Sequence, residues 1–150
     1  MANLRERVEV ELENISAVLA ELKKIEGKPD KTVAELAGIG TFLHNFYTWI
    51  ENILKQILGA KGISIPTSGS WHRDLLILAS EEKIITETTR KQLAKYLAFR
   101  HFFVHAYSFL LDESELRLLV DDVFDTYAIF KAEIDAFVRE RNHGERASQN

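Results

Sequence analysis

The chain has 150 residues, of which 46% are hydrophobic and 28% charged, a length and composition typical of one globular domain with its own core. It contains no cysteine, which excludes disulfides, thiolate metal sites and a cysteine nucleophile. The net charge of −4 argues against non-specific binding of duplex nucleic acid, although it allows a small, locally positive cleft.

Residues 1–7 become charged too early to form a signal peptide. No apolar run approaches the roughly 18 residues that a membrane span needs. We therefore expect a cytoplasmic protein with no membrane partner, and the acidic balance gives no reason to expect DNA binding.

Two long helices are predicted in the first 60 residues. Apolar residues alternate at spacings of four and three over about residues 3–26, which predicts an amphipathic helix. Thr32, followed by Glu35, is a capping-box signal for a second helix over about residues 33–59. This helix has two adjacent apolar stripes, so we expect it to lie centrally in a bundle or to pack against a second subunit as well.

Three further helices are predicted beyond the Gly- and Pro-containing loop over residues 59–69. Each follows a residue suited to N-capping: Ser70 before a short helix over about 71–79, Thr86 before a helix over about 87–110, and Asp112 before the fifth helix. Residues 139–150 are polar and contain glycine, which predicts a disordered tail. The fold class is therefore all-α, an up-and-down bundle of four long helices plus a short one, in one domain over residues 1–138.

The fourth predicted helix contains a polar cluster, Arg100, His101, His105 and Tyr107, among large apolar side chains. Arg and His are buried at low cost only when they are partnered. On a continuous helix Arg100 and His105 lie about 140° apart, whereas His101 and His105 share a face. A joint site of Arg100 and His105 therefore needs a helix that ends or distorts near His105, or a second copy of the chain across a two-fold interface.

A guanidinium and an imidazole together suit the cleavage of RNA without a metal ion or cofactor. The guanidinium can bind a phosphate through two bonds, and the imidazole can accept or donate a proton near neutral pH. In such a site the histidine acts as general base or acid while an RNA 2′-hydroxyl attacks the adjacent phosphate. The arginine stabilises the charge that develops.

Residues 100–107 have the form Arg-His-x3-His-Ala-Tyr, which resembles the Arg-x4-His motif of HEPN-domain ribonucleases, with a tyrosine two positions further on. In particular, it resembles the motif of the HepT-type toxins. Residues 46–54 and 71–76 also resemble this group, and the similarity covers about residues 4–138. The resemblance implies a HEPN-like helical homodimer in which two motifs face one cleft and cleave RNA to leave a cyclic phosphate.

The resemblance also implies roles for the motif residues. Arg100 and His105 would be catalytic, and His101 would orient or assist them. Tyr107 would be adenylylated by a small nucleotidyltransferase antitoxin that silences the toxin. The alternative functions are a non-catalytic HEPN nucleotide-binding module and a structural helical dimer whose polar cluster fixes the interface.

Other interpretations of these residues stay open. The two motif histidines could be zinc ligands, with a third ligand from His72 or Glu51. The motif arginine and second histidine could be a buried pair tied to a carboxylate such as Glu51. Trp71, His72 and Arg73 could line the substrate cleft or close the end of the bundle, and Tyr107 could be an ordinary core tyrosine.

Overall fold

The computed structural model describes residues 2–105 and 111–149, without the side chains of residues 142, 143 and 145–149. Over these residues the chain forms five helices: α1 (Leu4–Glu26), α2 (Val33–Ala60), α3 (Trp71–Glu81), α4 (Glu87–His105) and α5 (Glu113–Gln149). The predicted all-α class, with four long helices and a short one, is confirmed. Of the helices in this part of the chain, none is long and apolar enough to cross a bilayer.

The predicted N-caps lie directly before their helices. Thr32, Thr86 and Asp112 each accept a hydrogen bond from a backbone N–H in the first turn. Ser70 also precedes its helix, but its hydroxyl donates to the Asp74 carboxylate at 3.1 Å and caps no backbone N–H. The predicted N-cap position of Ser70 is thus confirmed, but its side chain makes no capping hydrogen bond because the Asp74 carboxylate competes for the same hydroxyl.

Helix α2 lies in the middle of the bundle and contacts the other four helices. Both of its predicted apolar stripes are buried. The buried members are Ile39, Leu43, Phe46, Tyr47, Ile50, Ile53, Leu54 and Ile57. The expected central position of this helix is confirmed.

Two tyrosines connect α5 to its neighbours through hydrogen bonds. Tyr96 of α4 donates its hydroxyl to the carbonyl of Leu119 at 2.7 Å. Tyr127 of α5 donates to the carbonyl of Leu12 at 2.9 Å, and its oxygen lies 3.0 Å from the Ser16 hydroxyl. Both phenols are thus buried with partners, which removes the desolvation penalty of an unpaired hydroxyl.

Helix α5 continues to Gln149, beyond the end of its buried apolar stripe at Val138. Helix α5 thus includes residues 139–149, within the polar segment for which a disordered tail was predicted. Arg141 Nη2 donates to the carbonyl of Ala60 at 2.9 Å and so connects this extension to the end of α2. Arg, Glu and Ala in the segment favour a helix without any apolar face, a property that hydrophobic periodicity does not detect.

Candidate functional site

The C-terminal half of α4 carries the predicted catalytic residues. His101 and His105 are exposed, and their rings meet edge to face with centroids 4.7 Å apart and planes at 60°. Arg100 is half-buried and points toward α2. Among the described residues, no hydrogen bond or ring contact joins Arg100 to His105. One chain therefore brings the two histidines together but leaves the arginine on another face, as the helical geometry predicts. Tyr107 lies outside the described residues.

Arg100 is held by a neutral partner. Its Nε donates to the hydroxyl of Thr48 at 3.3 Å, and that hydroxyl donates to the carbonyl of His44 at 3.1 Å. In the part of the chain that the structure describes, no carboxylate forms an ion pair with Arg100. The guanidinium thus has a neutral hydroxyl as its hydrogen-bond partner on α2, and its planar donors match the oxygens of a phosphate.

Glu51 pairs with His72 and not with Arg100. Its carboxylate is only 3% exposed, and Oε2 lies 2.6 Å from Nδ1 of His72. The imidazole comes from the first turn of α3, and its side chain is 30% exposed. A carboxylate at Nδ1 fixes an N–H on that nitrogen, which leaves Nε2 as the ring nitrogen that Glu51 does not engage. The interpretation that ties the motif arginine to Glu51 was therefore wrong.

Tyr47 lies next to both of these pairs. Its side chain is fully buried, and its hydroxyl makes no hydrogen bond within the described structure. Burial raises the pKa of Tyr47 first, the Glu51 carboxylate raises this pKa further, and the Arg100 charge lowers it in part. The phenol therefore stays protonated at physiological pH.

The polar contacts of α2 fall on one line along the helix, which we call the polar stripe. The polar stripe comprises His44, Thr48, Glu51 and Lys55, at spacings of four, three and four. At its first end the His44 ring lies 5.9 Å from the ring of Phe103 on α4. At its last end Lys55 Nζ lies 4.2 Å from the ring centroid of Trp71, which stacks on the His72 ring at 3.6 Å.

The polar stripe is visible in the sequence as a pattern of polar residues, which the periodicity of apolar residues does not reveal. Four polar residues at helical spacing, on a helix that is otherwise apolar over a wide arc, indicate a face with specific partners. Trp71 and His72 contact the last two members of the stripe, Lys55 and Glu51, while the question of whether they line a substrate cleft stays a prediction. Arg73, beside them, is exposed.

The motif is flanked by apolar side chains with different environments. Phe103 packs on Phe99, with ring centroids 5.7 Å apart, and also against Gly40 of α2. A Cβ atom at Gly40 would lie 2.7 Å from Cε2 of Phe103, so the glycine gives the Phe103 ring room to pack against α2. Phe102 and Val104 are instead 46% and 57% exposed, which places an apolar surface beside the two histidines.

The zinc interpretation requires a third ligand near the motif histidines. Among the described residues, no group of three or more His, Asp or Glu side chains is arranged to hold a metal ion. His72 and Glu51, the suggested further ligands, are bonded to each other.

Comparisons with known proteins identify the fold and the family. The chain superposes on a cytosolic protein of unknown function, YutE from Bacillus subtilis, with a TM-score of 0.76 and 20% identity, covering 91% of this chain and 92% of that one. It superposes on a chain from the crystal structure of a toxin-antitoxin with AMP-PNP with a TM-score of 0.77 and 17% identity, covering 86% and 97% of the two chains. These likenesses show a shared fold.

No curated protein is significantly similar in sequence. The pattern of the family described as HepT-like protein matches residues 38–141, which includes most of α2, all of α3 and α4, and most of α5. The match thus covers the polar stripe and the Arg-x4-His motif together. The chain belongs to the HepT-like protein family.

Proposed function

We propose that this chain is a toxin of HepT type, a metal-independent endoribonuclease that a nucleotidyltransferase antitoxin neutralises. Membership of the HepT-like family supports the class of protein. The observation that carries the proposal is the state of Arg100, whose Nε is bonded to Thr48 and whose charge meets no carboxylate among the described residues. A half-buried cation in that state, on the same helix as two exposed histidines, fits a site for RNA phosphate.

The proposed reaction is a transphosphorylation within the RNA chain. A neutral imidazole takes the proton of the 2′-hydroxyl, and the 2′-oxygen forms a bond to the adjacent phosphorus while the bond from phosphorus to the 5′-oxygen breaks. The 5′-oxygen takes a proton from an imidazolium. The products are a 2′,3′-cyclic phosphate and a 5′-hydroxyl, and no electrons are exchanged with another reactant.

Each motif residue has a role in this reaction. Arg100 binds the non-bridging phosphate oxygens, where negative charge increases in the transition state. His105 transfers the proton. His101, whose ring lies 4.7 Å from that of His105, orients it or assists in the transfer.

A two-fold homodimer would bring these groups into one cleft. Phe102 and Val104 supply an exposed apolar surface directly beside the histidines, and a two-fold axis at this surface would pair it with itself. Arg100 of one copy would then face His105 of the other, which removes the 140° separation that a single helix imposes.

Tyr107 is the proposed target of the antitoxin. Its hydroxyl oxygen would bond to the α-phosphorus of ATP, pyrophosphate would leave, and the hydroxyl proton would pass to solvent. The attached phosphate would carry negative charge near the motif and compete with RNA for Arg100.

Cleavage of RNA in the presence of EDTA tests the proposed activity. Purified protein is expected to cleave a labelled RNA to products that end in a cyclic phosphate. Arg100→Ala and His105→Ala are expected to lose at least about 100-fold in rate, the usual contribution of an acid-base or charge-stabilising group. Arg73→Ala, an exposed arginine on α3, is the matched control and should retain activity.

Two other outcomes would replace the proposal. If RNA stays intact but a nucleoside triphosphate raises the melting temperature, the chain is a binding module. If RNA stays intact and Arg100→Ala only weakens self-association, the motif serves a structural dimer.

A further inference from the structure

The last part of the polar stripe has the properties of a second anion site. We propose that Lys55 and His72 form a phosphate-binding subsite, which holds an RNA phosphodiester that flanks the one cleaved at Arg100. This subsite rests on the proposed ribonuclease function, because it holds the RNA chain beyond the cleaved bond.

The charges along the polar stripe and the residues that cover it favour an anionic ligand. Arg100 and Lys55 are both cations, and neither forms an ion pair with a carboxylate among the described residues. The Lys55 ammonium lies over the ring of Trp71 at 4.2 Å. The one carboxylate of the stripe, Glu51, is already bonded to His72 at 2.6 Å. Two cations without anionic partners, in a chain whose net charge is −4, indicate a local site for negative charge.

The His72 ring is oriented so that one nitrogen remains for a ligand. Glu51 occupies Nδ1, and the Trp71 ring stacks on the imidazole at 3.6 Å, so both the rotation and the plane of the ring are restrained. The side chain is 30% exposed, which gives solvent and ligand access. In the protonated ring, Nε2 carries an N–H that can donate to a phosphate oxygen.

The separation of the two cations favours a ligand with several phosphates. Thr48, which holds Arg100, and Lys55 are seven residues apart on α2, about 10 Å along the helix axis. The two helices are antiparallel, because His44 contacts Phe103 while Thr48, four residues later, contacts Arg100. The motif histidines therefore lie toward the opposite end of the stripe from Lys55. An RNA strand, with a charge at every nucleotide, can contact both ends.

Substrates with one neutral linkage test the subsite. Hexanucleotides are made with the sequence of a site that the wild type cleaves in longer RNA, with a single ribonucleotide so that only one bond can be cut. In each substrate one flanking phosphate is replaced by an uncharged methylphosphonate. For the wild type, kcat/KM is expected to fall about tenfold at one flanking position, the loss of one charge-assisted contact.

The protein variants supply the other half of the test. On the substrate in which every linkage is a phosphate, Lys55→Ala is expected to have a kcat/KM about tenfold below that of the wild type. Replacing the sensitive flanking phosphate by methylphosphonate should then cause no further fall in the kcat/KM of Lys55→Ala. His72→Asn is expected to behave in the same way, although its amide nitrogen replaces Nδ1 and keeps the bond to Glu51. A purely structural role for His72 would leave His72→Asn as active as the wild type. Lys24→Ala, which removes an exposed lysine of α1, is the control. Its kcat/KM should fall about tenfold on the methylphosphonate substrate, as that of the wild type does.

The possible failures are distinguishable. If the losses from Lys55→Ala and from the neutral linkage multiply at every position, the lysine contacts no flanking phosphate and the subsite is refuted, while cleavage itself stands. If the wild type cleaves no RNA, the proposed function fails and the subsite fails with it.

Discussion

The pair formed by Glu51 and His72 gives the sharpest stability prediction. Glu51 is 3% exposed, and the His72 ring nitrogen at 2.6 Å supports its charge. His72→Ala removes that partner and leaves a carboxylate in a largely apolar environment at the centre of the bundle. Glu51→Gln removes the charge instead and keeps an amide of similar shape.

The expected cost follows from the burial of the two groups. Breaking a fully buried ion pair by removing one partner costs about 3–5 kcal/mol. The His72 side chain is 30% exposed, and its loss would admit water to the carboxylate, so we expect His72→Ala to cost about 2–3 kcal/mol. The double variant carries no buried charge, and we expect it to be more stable than the sum of the single variants predicts by about 1–2 kcal/mol.

Urea denaturation at pH 7 of the wild type, both single variants and the double variant measures this coupling, provided that the m-value is unchanged. Arg73→Ala, at the exposed position next to His72, is the control and should change stability by less than about 0.5 kcal/mol. A coupling energy below about 0.5 kcal/mol would refute the assignment of His72 as the group that supports the buried charge.

Three other substitutions test individual contacts. Thr48→Val removes the hydroxyl that accepts a hydrogen bond from Arg100 at 3.3 Å, so kcat/KM for RNA should fall about tenfold. Thr48→Ser keeps the hydroxyl and should keep most of the activity. Equal rates for the two variants would contradict this role of Thr48. Gly40→Ala places a Cβ atom 2.7 Å from Cε2 of Phe103. Thermal melts should show that the free energy of unfolding falls by about 1–2 kcal/mol, despite the better helix propensity of alanine. A variant more stable than the wild type would show that the Phe103 ring moves aside without cost. Tyr127→Phe removes hydrogen bonds to a carbonyl and a hydroxyl of α1, which should cost about 1–2 kcal/mol in urea denaturation, and an unchanged midpoint would contradict the tie between α1 and α5.

Local sequence signals predicted most of the helical architecture. The second helix was expected over about residues 33–59 and lies over Val33–Ala60, because a capping box begins it and a Gly-containing segment follows it. The end of α5 was not predictable in this way. Its continuation to Gln149 depends on polar helix formers and on a bond from Arg141 to the end of α2, neither of which has an apolar period.

Within the candidate site, the sequence predicted only the relative positions of residues that lie on the same helix. The shared face of His101 and His105 follows from their spacing of four, and their rings do meet. The partner of Glu51 depends instead on how α3 packs on α2, across 21 residues of chain, and the sequence offered several candidates for it. Cross-helix pairs of this kind are set by tertiary packing, which no local pattern contains.

Mixing two inactive variants tests the central claim most directly. If Arg100 of one copy and His105 of the other form the ribonuclease site, then Arg100→Ala and His105→Ala homodimers are inactive, but half of a re-equilibrated mixture consists of heterodimers with one complete site. RNA cleavage in EDTA should then recover to about a quarter of the wild-type rate, since each heterodimer has one of two sites. A mixture that forms heterodimers, verified by native mass spectrometry, and stays inactive would contradict a site shared between two chains.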